Sequence, residues 1–468
     1  GKIQKKYSPN PIWSIQQTTF FSILGIQKIQ YMLTRFLLKS PFILLCICFL
    51  WVQPSLAQNS IRVNSDRLEA NLKKLSTFGM NDKGGNDRVA FSDYDIAARV
   101  HLTRYLEDLG LKVHTDAAGN LIALRQGTKK GAKPIAFGSH IDAVPNGGHF
   151  DGDVGVMGAI EVLETLIEND IETQHPLEFI IFSNEEGAVF GSRALAGKIK
   201  KETLDVVTAS GYTNGEGVAR IGGDPNKIME VKRTSEEVHA FLELHIEQGN
   251  ILHKNGLDIG VVEGIVGLKW WDVEITGFTN HAGTTPMNDR KDALIAASKF
   301  VLAVNEIVTG IEGAQVGTVG RIQAFPGAPN VIPGKVVASL EIRDLDAEKI
   351  QRIYSLIEQR ANEIGEETKT NFKFSPIDAT AEPALTDARI QSLIRKNATA
   401  LGYSHQTMPS GAGHDAQDMA VFTPTGMIFV PSVNGISHAP EEYSTPEAIA
   451  KGANVLLLSI LELDQTRF

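Results

Sequence analysis

Apolar positions recur along this chain in two rhythms, and the rhythm changes near Gly264. Before that point short apolar runs alternate with helical spacing. Residues 66–109 have mainly helical spacing, broken by the polar, Gly-rich loop 79–86, and Ser92 with Asp93 makes a helix start. Residues 111–114, 120–124 and 134–139 read as strands between Gly-rich turns, and 154–166 as the helix after them. The run 177–184 is short, aromatic and β-branched, and Gly187 closes it, which predicts a buried strand; 240–247 reads as another. Strands alternating with helices predict an α/β fold, a mixed sheet with helices on both faces.

Beyond Gly264 the alternation is that of half-exposed strands. Residues 268–276, 315–322, 335–343 and 372–374 read as strands, and 290–308 and 347–364 as amphipathic helices between them. That β-α-β-β-α-β order predicts a small inserted α+β, ferredoxin-like domain. The first rhythm then resumes, with a helix over 386–401 and a strand over 426–430. The predicted division is therefore 58–264 with 381–468 as one domain and 265–380 as an insertion. No internal repeat or low-complexity tract disturbs it.

Composition changes this picture mainly at the N-terminus. Arg35 and Lys39 precede the apolar run 42–52, and small residues Ser55 and Ala57 come after it, before Gln58. This is the pattern of a secretory signal cut after Ala57, so residues 1–57 read as an upstream segment plus signal peptide and the rest of the chain as exported, periplasmic. Membrane tethering through 42–52 is the alternative, but the run is well short of the roughly 20 apolar residues a spanning helix needs. Residues 1–31 lack an initiating Met, whereas Met32 would open a signal of ordinary shape. Both cysteines, Cys46 and Cys48, fall in the apolar run, leaving no thiol after Gln58. Metal binding there must use His, Asp and Glu. Residues 1–57 also hold 6 of the 45 Lys and Arg and none of the 55 Asp and Glu, so the remainder of the chain is more acidic than the overall charge of −10. That balance argues against a nucleic-acid partner.

The chemistry lies where the predicted strands end. His140 stands at the end of one, with Asp142 two residues on, and His-x-Asp can supply both an imidazole ligand and the carboxylate that orients it. Asp151 sits in the Gly-rich stretch 146–153 leading into a helix, and its two oxygens could bridge two cations. Asp153 better suits the helix-cap role. Glu185 and Glu186 end the run 177–184; in strand geometry they would point to opposite sides, one toward metal and one toward water. His245, with Gln248 beyond it, and His438 complete the set. Any one of these is ordinary, but strand ends of an α/β sheet converge on one face. No dinucleotide-binding G-x-G-x-x-G and no G-x-S-x-G nucleophile elbow competes.

In order, His140-x-Asp142, Gly148-x-x-Asp151-Gly152, Asn184-Glu-Glu-Gly187, His245-Ile-Glu-Gln-Gly249 and Ser437-His438 resemble the motifs of M20-type dinuclear metallohydrolases, with a zinc-exopeptidase-like catalytic domain. The resemblance is strongest to the amidase branch of N-carbamoyl-L-amino-acid hydrolases, β-ureidopropionase and allantoate amidohydrolase. It implies two divalent ions, usually zinc with Mn2+, Co2+ or Ni2+ as alternatives, bridged by Asp151. His140 and His245 would hold one, Glu186 and His438 the other, with Glu185 as general base. It further implies that His281 serves the active site of a second subunit in a homodimer formed through the inserted lid domain. Gln248, Asn330 and Arg343 would bind substrate with Gly411, Ala412 and His414. Without the resemblance, Arg343 reads as an ion pair with Asp344 or Asp346.

The expected function is hydrolysis of a C–N bond in a small carboxylate-bearing ureido or amide compound, foremost an N-carbamoyl-L-amino acid. The alternative is a metallopeptidase or aminoacylase on the same ions, which the compact segment 187–193 resembles. A binding protein that closes without reacting would have no use for Glu185.

Overall fold

The computed structural model describes residues 61–467. The signal-peptide reading of 1–57, and with it the apolar run 42–52, lies outside them. Among the described residues no helix is long and apolar enough to cross a membrane.

The larger sheet begins with β1 (Lys112–Thr115), β2 (Leu121–Arg125), β3 (Ile135–His140), β4 (Leu177–Phe182), β5 (Ala240–Ile246) and β6 (Ile259–Ile265). The chain then builds a second sheet from β7 (Gly267–Thr276), β8 (Asn280–His281), β9 (Val316–Thr318), β10 (Ile322–Phe325), β11 (Val331–Ile332), β12 (Lys335–Asp344) and β13 (Asn371–Ala381), with β8 and β11 forming a small separate ribbon. It returns through β14 (Ala384–Leu385), β15 (His405–Ser410) and β16 (Thr425–Val430). Departure and return are neighbours, because β14 pairs antiparallel with the end of β6.

The larger sheet runs β1-β2-β4-β3-β5-β16-β6-β14, with β15 parallel to β6. Its centre, β4-β3-β5-β16, is parallel throughout and wholly buried. Parallel strands covered on both faces need continuous apolar runs, which is why these read so clearly in the sequence. The helix Asp153–Glu168 packs on one face and is itself buried nearly all round, between the sheet and the helices Ser65–Ser76 and Pro446–Leu463. Two glycines permit that closeness. A Cβ on Gly155 would stand 2.2 Å from the Leu244 carbonyl oxygen, and one on Gly158 would stand 2.6 Å from Leu244 Cδ2. Alternation along β5 turns Leu244 to this helix and Phe241 to the opposite core with Phe182, Ala416 and Met419.

The second sheet is antiparallel, in the order β10-β12-β7-β13 with β9 also on β12. Buried residues alternate strictly along β12 and pack against the helices Ala293–Thr309 and Ala347–Thr368, where Phe300, Val273, Leu340 and Ile353 form a separate core. Trp271 stacks on Tyr354 at 4.5 Å. Each fully buried side chain of this size contributes about 1.5–3 kcal/mol.

The pattern and the structure differ in detail. The strand expected over 315–322 is broken into β9 and β10, and the helix expected from 290 starts at Ala293 because the Asp292 carboxylate caps it, accepting from the Leu294 and Ile295 amides. Five strands, β6, β8, β11, β14 and β15, go unpredicted, as do the helix Pro446–Leu463 and the short helices Phe190–Leu195, Asn214–Arg220, Ile251–Asn255 and Asp415–Met419.

Candidate metal centre

Four parallel strands end side by side at one edge of the larger sheet, and each delivers a candidate side chain. β3 ends on His140. β4 ends at Phe182, and the chain turns at Asn184 with a φ of 50°, so Glu185 and Glu186 leave from a turn rather than by strand alternation. His245 is next to last in β5, Gln248 lies in the turn beyond, and the loop after β16 brings His438. Asp151 enters from the loop before the helix Asp153–Glu168.

Backbone contacts set the imidazole tautomers. His140 Nδ1 donates to the Asp142 carbonyl at 3.0 Å, and His245 Nδ1 to the Ile246 carbonyl at 2.9 Å. The Gly152 amide donates to His245 Nε2 at 3.2 Å. Both Nε2 atoms are thereby left as lone pairs, and they face Asp151 Oδ1 at 3.5 and 3.1 Å. A lone pair against a carboxylate oxygen repels unless a proton or a metal cation lies between them. On the other side of Asp151, Oδ2 is 3.2 Å from His438 Nε2, which is 3.5 Å from Glu186 Oε1. That Glu186 oxygen is buried without a hydrogen-bond partner. Two triads, His140/Asp151/His245 and Asp151/Glu186/His438, thus share one carboxylate, and both are compatible with a divalent cation. A third grouping, Glu243/His245/His414, fits a cation less well, since the Glu243 oxygens already accept from Ser139 Oγ and the Ala416 amide.

The field of the cluster is compatible with a cation. Burial works against charge on His140, but Glu185, Asp151 and Asp142 outweigh it and hold its proton affinity well above the ordinary imidazole value. Burial likewise opposes a charged Asp151, yet the three histidines keep it well below the usual carboxylate range. His438 is pushed up to about 9 by its bond to Asp151. Burial, then Asp151, push Glu186 up to about 7. Glu185, whose Oε2 is 3.7 Å from His140 Nε2, is raised well above its ordinary value by burial, with His140 opposing. Positive charge in the triads would relieve these carboxylates.

The expected substrate residues fall in two places. Gln248 Nε2 donates to Asp151 Oδ2 at 2.7 Å and its Oε1 is buried without a partner. His414 lies edge-on to His245 at 4.4 Å and shares a 2.9 Å hydrogen bond with Ser410 Oγ, in the loop that holds Gly411 and Ala412. Burial, then His245, keep His414 well below the ordinary imidazole value. Arg343 reaches this loop from β12, donating to the Gly411 carbonyl at 2.7 Å. His281 and Asn330 are instead exposed on the β8/β11 ribbon, where His281 Nδ1 accepts from the Gly283 and Thr284 amides and the Asn330 carbonyl accepts from Ala282. Their hydrogen bonds are to this ribbon and its neighbours, and neither belongs to the triads.

Comparison with known proteins shows the family. The family model described as peptidase family M20/M25/M40 matches residues 136–462. The chain belongs to that family. Among its relatives, an N-carbamoyl-L-amino acid amidohydrolase of Geobacillus stearothermophilus is 38% identical over 408 residues, covering 86% of this chain and 99% of that protein. An Arabidopsis thaliana ureidoglycolate hydrolase is 38% identical over 419 residues, covering 86% and 88%. A hydantoinase/carbamoylase family amidase from Burkholderia multivorans superposes with a TM-score of 0.81 at 37% identity, covering 87% of this chain and all of that one. One expectation is corrected here: the likeness to the N-carbamoyl-L-amino acid amidohydrolases speaks against the exported, periplasmic placement, which does not stand.

Three local expectations for this M20 chain also change. The Asp142 carboxylate stands 3.9 Å from His140 Nδ1 and instead accepts the amides of Glu185 and Glu186 at 3.2 and 3.1 Å, so it aims both glutamates. Asp153 is not the helix cap; Gly152 holds that position, and Asp153 pairs with buried Arg88, whose guanidinium also ties down the carbonyls of Leu75, Phe78 and Ile141. Arg343 pairs with Glu341 at 2.7 Å, not with Asp344 or Asp346. Alternation puts 341 and 343 on one face of β12 and Asp344 on the other, where it meets Lys349 at 2.9 Å. The sequence pattern also gives no sign of Glu442, which faces Asp151 and His438 together.

Proposed function

We propose that this M20 chain is a metal-dependent amidohydrolase that cleaves a linear ureido or amide C–N bond, other than a peptide bond, in a small carboxylate-bearing substrate. The substrate class is an N-carbamoyl-L-amino acid. What carries the reading is the sharing of Asp151 by two triads with Glu185 beside His140. Relatives named for carbamoyl amino acids and ureidoglycolate point to the same bond.

His140 and His245 would hold one divalent ion and Glu186 and His438 the other, with Asp151 between them; zinc suits this thiol-free His and carboxylate set. When bound, such ions polarise a carbonyl and make water acidic. Glu185 takes the proton from the attacking water and returns it to the departing nitrogen, so the carbonyl carbon gains the oxygen and the nitrogen gains the hydrogen. Arg343 holds the substrate carboxylate with the N–H groups that Glu341 and Gly411 leave open, and hinge motion between the two domains brings Asn330 to it. The portion 265–380 serves as lid and dimer surface, and His281 acts in a second subunit's site, which suits its exposure on the β8/β11 ribbon.

The test combines products with metal content. The purified protein supplied with Zn2+ should release ammonia from N-carbamoyl-L-amino acids; release of free amino acid from dipeptides without ammonia would favour the peptidase reading. Glu185→Gln should lower kcat by about 10²–10⁴-fold, the worth of general acid–base catalysis, while bound metal stays unchanged. Retained turnover would remove Glu185 as the base.

A further inference from the structure

Glu442 lies four residues beyond His438 and is buried. Its Oε1 accepts the amides of Phe150 and Asp151 at 2.9 and 3.0 Å. Its Oε2 accepts Ser437 Oγ at 2.7 Å and the His438 amide at 3.3 Å. Among the described residues it forms no salt bridge to Lys or Arg, so these four neutral donors are what the protein offers a buried carboxylate. The opposing wall is shaped for it. A Cβ on Gly148 would come within 2.1 Å of Glu442 Oε1, so residue 148 must be glycine while Glu442 is seated.

The two loops joined in this way need a joint. Asp151 comes from a Gly-rich segment just before the helix Asp153–Glu168, and His438 comes from a loop nearly 300 residues later with a φ of 55° and about half its side chain exposed. No strand pairing connects them. Ser437 Oγ stands 3.1 Å from Asp151 Oδ2 as well as 2.7 Å from Glu442, so serine, aspartate and glutamate form one linked set. We propose that Glu442 is a positioning residue for the second cation, holding Asp151 and His438 at the separation that Asp151/Glu186/His438 needs. This rests on the two-cation reading above. Glu442 touches neither substrate nor metal; it acts through two ligands, and groups behind metal ligands typically set affinity or activity by 10–100-fold.

A Gln at 442 keeps one carbonyl oxygen for the Phe150 and Asp151 amides but turns an NH2 toward the His438 amide, donor against donor. Chelator-stripped full-length protein is titrated with Zn2+ against a chromophoric competitor, and His438→Ala identifies the event that depends on His438. Glu442→Gln should weaken that event about tenfold or more, leave the other within about twofold, and regain kcat as free Zn2+ is raised. Ser437→Ala should weaken the same event by less, and its effect should shrink when combined with Glu442→Gln. The proposal is overturned if both events match wild type in the two variants, or if both weaken equally together with a fall in the melting temperature of the stripped protein. Wild-type protein that takes up no Zn2+ would instead sink the hydrolase reading itself.

Discussion

The two sheets handle exposure in opposite ways, and the candidate chemistry divides along that line. At the parallel centre of the larger sheet every strand residue is buried, and the triads hang from the strand ends and the turns just beyond them. The second sheet buries one face against two helices and leaves the other open, and Arg343 is on that open face. Side chains at buried strand ends have their rotamers fixed on all sides, which suits ligands and a base. Those on the open sheet face can meet and release a substrate. Damage at the first sheet should therefore appear in metal binding and kcat, and damage at the second in KM or in stability.

The hardest strike on the first region is Gly152→Ala. Gly152 has a φ of 67°, and an added Cβ would stand 2.6 Å from three atoms of the His140 ring. The ring must move, and with it the Nε2 lone pair of the first triad. A misplacement near 1 Å costs about 10²-fold in such sites. The expected result is a drop in Zn2+ affinity and at least that loss in kcat, read by chelator competition and initial rates. A variant with normal metal affinity would show that the first region tolerates movement and would erase the contrast.

Arg343→Lys probes the second region. Lysine cannot reproduce the planar fork that donates to Glu341 and Gly411 together. If the substrate carboxylate loses one hydrogen bond to a charged group, about 1.5–3 kcal/mol, KM should rise about 10- to 150-fold. Bound metal should stay as in wild type. A fall in metal content would mean that the open face supports the triads as well.

This division also explains what could be read from the sequence. Without cysteine after Gln58, the ligand set reduces to His, Asp and Glu at the ends of apolar runs, and those runs are conspicuous because the parallel centre is buried on both faces. Asp142 was legible as a supporting residue but not in its action, because which donors a carboxylate accepts depends on the turn at Asn184. Glu341 was within reach, since residues two apart in a strand share a face. Glu442 was not. Beside Glu441 it looks like any loop acid, and its partners Phe150 and Asp151 lie some 290 residues away, joined to it only by the fold. β15 was hidden because His405–Ser410 is polar and half-buried, and its place is set by parallel pairing with β6.

The smallest expected effect is the sharpest check that the second region is structural at its back and functional only at its open face. Asp292 caps the helix Ala293–Thr309 by accepting from Leu294 at 2.9 Å and Ile295 at 3.3 Å, and that helix carries Ala296, Ala297 and Phe300 into the second core. Losing such a cap costs about 1 kcal/mol. Asp292→Ala should therefore lower stability by that amount in a denaturant titration, while kcat, KM and bound metal at 25 °C remain within about twofold of wild type. Asp292 has no bond to the open face, so a kinetic change at constant fold would have to travel through the helix and the sheet. Were KM to shift while stability held, the two faces of the second sheet would be coupled, and the division drawn between the regions would have to be replaced by one rigid whole.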